Sequence, residues 1–504
     1  MLKVLSVCVL LLLSVNGVAQ KEDYKVNLEG TVLKNVESFK KGTYLHFDSI
    51  RHDTIVQSDP YVHEEYNYFL TVSDNDKYFI LEKNINESFD FKCNTVQQLC
   101  DASIIKKVIH NLDKKGHQYE LRKEMEEEAL DYINKVKSYD LELNDPYLYD
   151  YIYGLMLKMV PDRYIDGREY DVNVLIQQSP DINACMYPNG TMVINTGLLA
   201  ALHSEDELVA ILAHEFGHFL MDHSIINVNK AEARKKRAAF WAAVLTGATA
   251  ITEGVAASNG HYYTPGLGTL AMATLTTEIS RQVVEHLGMK FNHEQETDAD
   301  MFAVDMLRLL GYNENALATA LNRIGEECDV EYKNAMYLES YTHPELSKRI
   351  KDIGNPINLD NIEYEQKVSF AVSNIAMIKF FNRRFRKCMP FVSQNIENNV
   401  ANADDYLLKA NCILATKNNN ESNNEVAGLI SKAKSIDPEN INILKCEIVL
   451  SFRLNDNARA ISLLEQYRDA LKTIEDKTMF VLEESIWAKQ MLIKLKGMSI
   501  SMTA

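Results

Sequence analysis

Ser204-Glu205-Asp206-Glu207-Leu208-Val209-Ala210-Ile211-Leu212-Ala213-His214-Glu215-Phe216-Gly217-His218-Phe219 is the stretch from which the rest of the 504-residue chain is read. Ser204 with Glu207 three residues on predicts a capping box at a helix start. Leu208, Ile211, Leu212, Phe216 and Phe219 recur at the spacing of one buried helical face. Residues four apart on a helix point the same way, so the imidazoles of His214 and His218 can bind one metal ion while Glu215 faces the water that the ion polarises. Glu215 lies four residues after Ile211 and four before Phe219, inside the apolar stripe, where an unpaired carboxylate is costly and needs a reason.

Two histidines leave a catalytic zinc short of a ligand, since such sites take three protein ligands and keep one position open. The pattern with a Gly three residues after the second His and a further His three beyond is not met. Met221 and Ser224 stand there, and His223 reads as a packing residue or as a partner to a ligand. Farther on, Glu294-Gln295-Glu296-Thr297-Asp298 opens a helix that runs to about Leu310 and stops at Gly311. Glu294 and Asp298 are four apart, so one can bind metal while the other accepts a hydrogen bond from a ligand imidazole.

Around these helices the chain divides. Residues 1–19 carry Lys3, an apolar run and a Gly17-Val18-Ala19 ending, which predicts an export signal cleaved before Gln20. Removal takes the formal charge from −18 to −19 by loss of Lys3 and leaves seven of eight cysteines. Cys93 and Cys100 are the expected bridge. An acidic chain with 46% hydrophobic and 25% charged residues excludes wholesale disorder and argues against a nucleic-acid partner. Residues 20–100 predict a β-rich module with a hairpin at 68–81. Residues 101–360 hold the two motifs, with a charged run at 122–128 read as a solvated face and strands at 172–176 and 191–195. The apolar segments 238–252 and 266–276 are too short to span a bilayer. The first follows the basic run Arg234, Lys235, Lys236 and Arg237, so 234–252 is a candidate peripheral membrane contact. Residues 361–504 predict paired helices of degenerate tetratricopeptide type, with an exposed Asn-rich loop at 417–425.

At these motifs the chain resembles the gluzincin metallopeptidases of the HtpX, Oma and CAAX-prenyl-protease type, and most closely the soluble periplasmic BepA-like branch. The resemblance covers about residues 170–353. It runs through Asn183-Ala184, Pro188-Asn189-Gly190, Thr196-Gly197-Leu198-Leu199, Glu205 to Leu208, His214 to His218, His223, Glu294, Glu296 and Asp298, then Thr342-His343-Pro344 and Arg349-Ile350. It implies a mainly α fold with a small mixed sheet: a zincin-type core between the β-rich module and a C-terminal tetratricopeptide-like α-solenoid. It implies one zinc ion per chain on His214, His218 and Glu294, with Glu215 as general base and Asp298 supporting a ligand histidine. His343 would stabilise the oxyanion or cap the metal in a latent state. Thr297 stands where the family has Ala, and Lys290-Phe291 where it has Ser-Arg.

The expectation is therefore an exported, periplasmic or extracellular zinc endopeptidase acting on unfolded or misassembled polypeptides. The strand Thr191, Met192, Val193, Ile194 and Asn195 would pair with extended substrate, and a protein partner would sit on the C-terminal helices. The alternative is a chaperone-like binding protein whose zinc site is latent and gated by His343.

Overall fold

The computed structural model describes residues 24–35, 39–55, 65–73, 78–80, 88–107, 117–138, 141–161, 172–228, 289–332, 346–474 and 479–502. The leader at 1–19, the basic run 234–237, both apolar segments at 238–252 and 266–276, and His343 lie outside these residues. No described helix is long and apolar enough to cross a membrane.

The first unit is an antiparallel five-stranded sheet. Strands β1 (Tyr24–Val32), β2 (Tyr44–Ile55), β3 (Glu65–Val72), β4 (Tyr78–Ile80) and β5 (Phe89–Lys92) lie in the order β4-β3-β2-β1-β5. The 68–81 hairpin is there as β3 paired with β4. Leu28, Phe47, Ile50, Leu70 and Phe89 fill one face. Helix α1 (Val96–Lys107) follows and carries this core into that of the next unit, as one continuous apolar cluster. Cys93 and the buried Cys100 are both thiols rather than a disulfide. Burial pushes the Cys100 thiol well above its usual range, which holds it in the protonated, unreactive form.

Helices α2 (His117–Ser138) and α3 (Pro146–Met159) precede a second, three-stranded sheet of β6 (Asn173–Gln177), β7 (Ala184–Met186) and β8 (Thr191–Asn195). Its order is β6-β8-β7, with β6 parallel and β7 antiparallel to β8. All five residues of β8 are buried, because period-two alternation delivers Met192 and Ile194 to the core of the helix bearing the histidines and Val193 to a second cluster under α2. That second cluster corrects the charged run. Arg122 and Met125 are 4% and 0% exposed and lie on the inward side of α2 with Leu121 and Ala129, so the run 122–128 is a solvated face only at Lys123, Glu124 and Glu127.

After β8 come α4 (Thr196–Ala201), α5 (Glu205–Leu220), α6 (His223–Val228), α7 (His293–Leu310), α8 (Ala316–Tyr332) and α9 (Leu346–Ile353). Ser204 caps α5 by accepting from Glu207 N at 3.2 Å, while the Glu207 carboxylate reaches one residue past the cap to His203 N at 2.7 Å. Helix α7 starts with a complete capping box between Asn292 and Gln295, and ends at Gly311 in the left-handed region, φ 79°. Helices α5 and α7 pack closely because Gly217 has no side chain: a Cβ there would lie 3.0 Å from the Phe302 ring.

Helices α10 (Ile362–Lys367) and α11 (Ser369–Phe381) still belong to this core, where Ala371, Val372 and Ile375 are buried. Buried Asn374 bridges Thr196 at 2.9 Å and Gln178 at 2.8 Å. Beyond them α12 (Phe385–Glu397), α13 (Ala403–Thr416), α14 (Asn420–Ile436), α15 (Ile441–Arg453), α16 (Asn457–Thr473) and α17 (Met479–Met502) each pack against the next. The Asn-rich stretch is largely exposed as expected, with Ser422 buried, but it is a loop only as far as Asn419. Asn419 and Ser422 form a capping box, and helix α14 is under way from Asn420.

Gly197, at the start of α4, passes so near the β6–β7 connection that a Cβ would lie 2.5 Å from the Pro180 carbonyl oxygen and 2.7 Å from that of Asp181. Overpacking against backbone costs about 1–3 kcal/mol. Gly197→Ala should therefore lower the unfolding free energy measured by denaturant titration by an amount in that range, whereas Gly428→Ala, where a Cβ meets nothing, should not.

Candidate metal centre

Helix α5 presents His214 and His218 on one side, with Nε2 atoms 3.1 Å apart. Across from them α7 brings Glu296, whose carboxylate oxygens lie 3.6 Å from Nε2 of each histidine. The three form a buried group able to hold one metal ion. A tetrahedral ion with bonds of about 2.0–2.1 Å needs ligand atoms about 3.4 Å from one another. The observed 3.1–3.6 Å spacings fit that demand.

The remaining atoms of the ligands are occupied in the way a metal requires. His214 Nδ1 lies 2.9 Å from Asp300 Oδ1, which fixes the tautomer that leaves Nε2 for the metal. His218 Nδ1 lies 2.8 Å from His223 Nδ1, and Phe291 stacks on the His218 ring at 3.7 Å. Arg349, 2% exposed, holds both acids. It reaches Glu296 at 2.6 Å and donates to both oxygens of Asp300 at 2.8 and 2.6 Å. Burial opposes ionisation of Asp300, but the hydrogen bonds from Arg349 and His214 outweigh it and bring the carboxyl down to about 2.

Glu215, on α5 between the two histidines, is 3% exposed. With carboxylates ionised and imidazoles neutral, Glu215, Glu296 and Asp300 against Arg349 leave two net negative charges in a dry interior. Such a cluster either takes protons or binds a divalent cation.

The structure thus corrects the third ligand. Glu294 is exposed and Asp298 half-exposed on α7, and the residues that reach the histidines are Glu296 and Asp300, two positions on. Both pairs satisfy the four-residue spacing, but only Glu296 and Asp300 share the inward side with Ala299, Ala303 and Leu307. The outward side carries Met301, 58% exposed. The two-residue shift also removes one departure from the family pattern, because Ala299 now precedes the acid. Asn292-His293 stands where Ser-Arg was expected. Arg349, quoted only as part of a motif, emerges as the group that binds the two acids together.

A second correction concerns Thr191, Met192, Val193, Ile194 and Asn195. This strand is central, bonded to β6 on one side and β7 on the other, and has no edge to offer a substrate.

Residues 151–357 match the family model described as Peptidase family M48. With the histidine pair of α5 and the acid of α7 in place, this stretch belongs to that family and carries its metallopeptidase site. The chain is also similar to a putative beta-barrel assembly-enhancing protease of Vibrio cholerae, 25% identical over 223 residues, or 44% of this chain and 41% of the relative. Metalloprotease LoiP of Escherichia coli is 24% identical over 197 residues, 38% of this chain and 65% of LoiP. The beta-barrel assembly-enhancing protease of E. coli is 23% identical over 227 residues, 45% of this chain and 42% of that protein. The chain therefore spans about two-fifths to two-thirds of the length of these relatives.

Loss of a zinc ligand and loss of an exposed acid have different consequences. Glu296→Gln should abolish stoichiometric zinc in the purified protein, measured by elemental analysis, and Glu294→Gln should leave it unchanged. Asp300→Asn should weaken zinc by about 10–100-fold, as removal of a histidine's carboxylate partner does.

Proposed function

We propose that the chain is an exported zinc endopeptidase that hydrolyses peptide bonds in unfolded or misassembled polypeptides of the cell envelope. The observation that carries the reading is the meeting of His214, His218 and Glu296 beside the buried carboxylate of Glu215. The leader read at residues 1–19 supports export. Similarity to the β-barrel assembly-enhancing proteases of Vibrio and Escherichia supports the envelope as the setting.

Zinc at this site supplies Lewis acidity and lowers the pKa of water to about 7. The chain's own residues do the rest. Glu215 takes the proton of the attacking water and returns it to the leaving amine. Asp300 orients His214, and Arg349 keeps Glu296 and Asp300 in place while compensating one of their two charges. Extended substrate is assigned to β7, one of the two edge strands of the described sheet. Asn183 and Tyr187 use their carbonyl and amide toward β8, so the alternation of an antiparallel ladder turns the backbone groups of Ala184 and Met186 to the outer edge.

A cavity of about 790 Å³ between the peptidase unit and the first C-terminal helices suits retention of such clients. Phe370, Met377, Phe381 and Leu408 give it apolar walls, and Asn374 and Asn411 bring amides that can bond a peptide backbone.

Casein cleavage by the zinc-loaded protein tests the reading. Wild type should cleave, and Glu215→Gln should bind zinc normally while losing at least about 1000-fold in rate, the combined scale of general-base and electrostatic effects. Zinc-loaded wild type that leaves casein intact while preventing its aggregation would instead support a chaperone-like protein with a latent site.

A further inference from the structure

We infer that Arg122 is a positioning residue for the metal ligand His218, acting through Asp222 and His223. It lies on α2, outside the segment that matches the peptidase family. The inference rests on the reading of the site as a metal centre and adds to it a part of the chain that the family does not account for.

Arg122 and Asp222 form an ion pair of 2.5 Å in which the residues are 4% and 5% exposed. Asp222 occupies the turn between α5 and α6 with φ 52°, a left-handed conformation that residues with a Cβ seldom adopt. The turn persists because its carboxylate has a buried cation to meet. Removing that cation would leave an uncompensated charge in the interior. The turn sets where the next residue points, and that residue is His223, fully buried, with Nδ1 2.8 Å from His218 Nδ1.

A metal-binding imidazole takes its tautomer and ring orientation from the partner of its other nitrogen. For His214 that partner is Asp300; for His218 it is His223. His223 is fixed from two sides: Gln295 donates to its carbonyl at 3.3 Å from α7, and Arg122 holds the preceding residue from α2. The apolar side of α2 completes the support. Leu121, Met125 and Ala129 share a cluster with Ile225 of α6 and with Phe291, the ring stacked on His218.

The test measures zinc affinity of the metal-free full chain by competition with a chromogenic chelator, alongside its thermal unfolding. Arg122→Met and Asp222→Asn should each weaken zinc by about 10–100-fold, Arg122→Lys should restore part of the loss, and the double variant should bind no more weakly than either single one. Asn tolerates the left-handed turn and keeps the side-chain shape, so Asp222→Asn reads the charge alone. Affinity within twofold of wild type in a folded Arg122→Met or Asp222→Asn would overturn the inference. So would unfolding of both metal-free variants where wild type is folded, because the ion pair would then hold the fold and not the ligand. Wild type that binds no zinc at all would overturn the metal-centre reading itself, a separate outcome.

Discussion

Three acids and one guanidinium in a dry interior set the terms for this molecule. Arg349 binds Glu296 and Asp300 at once, and Glu215 stands beside them on the neighbouring helix. Alone, the cluster is short of positive charge by two, which makes a divalent cation its natural complement. The arrangement requires α5 and α7 to lie close, and Gly217 permits that. It also requires α9 to deliver an arginine under both, so the last helix of the family-matched segment is as necessary to the site as the two that carry the ligands.

The surrounding architecture holds these helices rather than merely enclosing them. The apolar cluster runs without a break from the five-stranded sheet through α1, α5 and α7 to α11. Asn374 and Tyr364, from the beginning of the C-terminal helices, bond into the β8–α4 region through Thr196, Gln178 and the Leu199 carbonyl. The first C-terminal helices are therefore bonded directly to the segment that leads into α5, and the cavity between the two lies beside the same contacts.

Much of this was legible in the sequence, and the failures have particular causes. Helix α5 was readable because its cap, stripe and histidine pair agree. Strand β8 was readable at Thr191–Asn195 because a short apolar run is bounded by Asn189-Gly190 and Gly197. Its place in the middle of the sheet was not, since strand order arises from which partners return to it and not from its own residues. The third ligand was missed because two acid pairs, offset by two residues, both satisfy a four-residue spacing. The stripe of Ala299, Phe302, Ala303 and Met306 would have decided between them. Arg122 was hidden in a charged run, although Met125, Ala129 and Tyr132 follow it at helical spacing and mark its side as the inward one.

The central claim is that Glu296, held by Arg349, completes the metal site begun by His214 and His218. Anomalous scattering at the zinc edge from crystals of the zinc-loaded full chain tests it most directly. The account predicts one peak per chain, about 2.0–2.2 Å from Nε2 of both histidines and from a Glu296 oxygen. A peak coordinated by Glu294 instead, or no peak between α5 and α7, would contradict it.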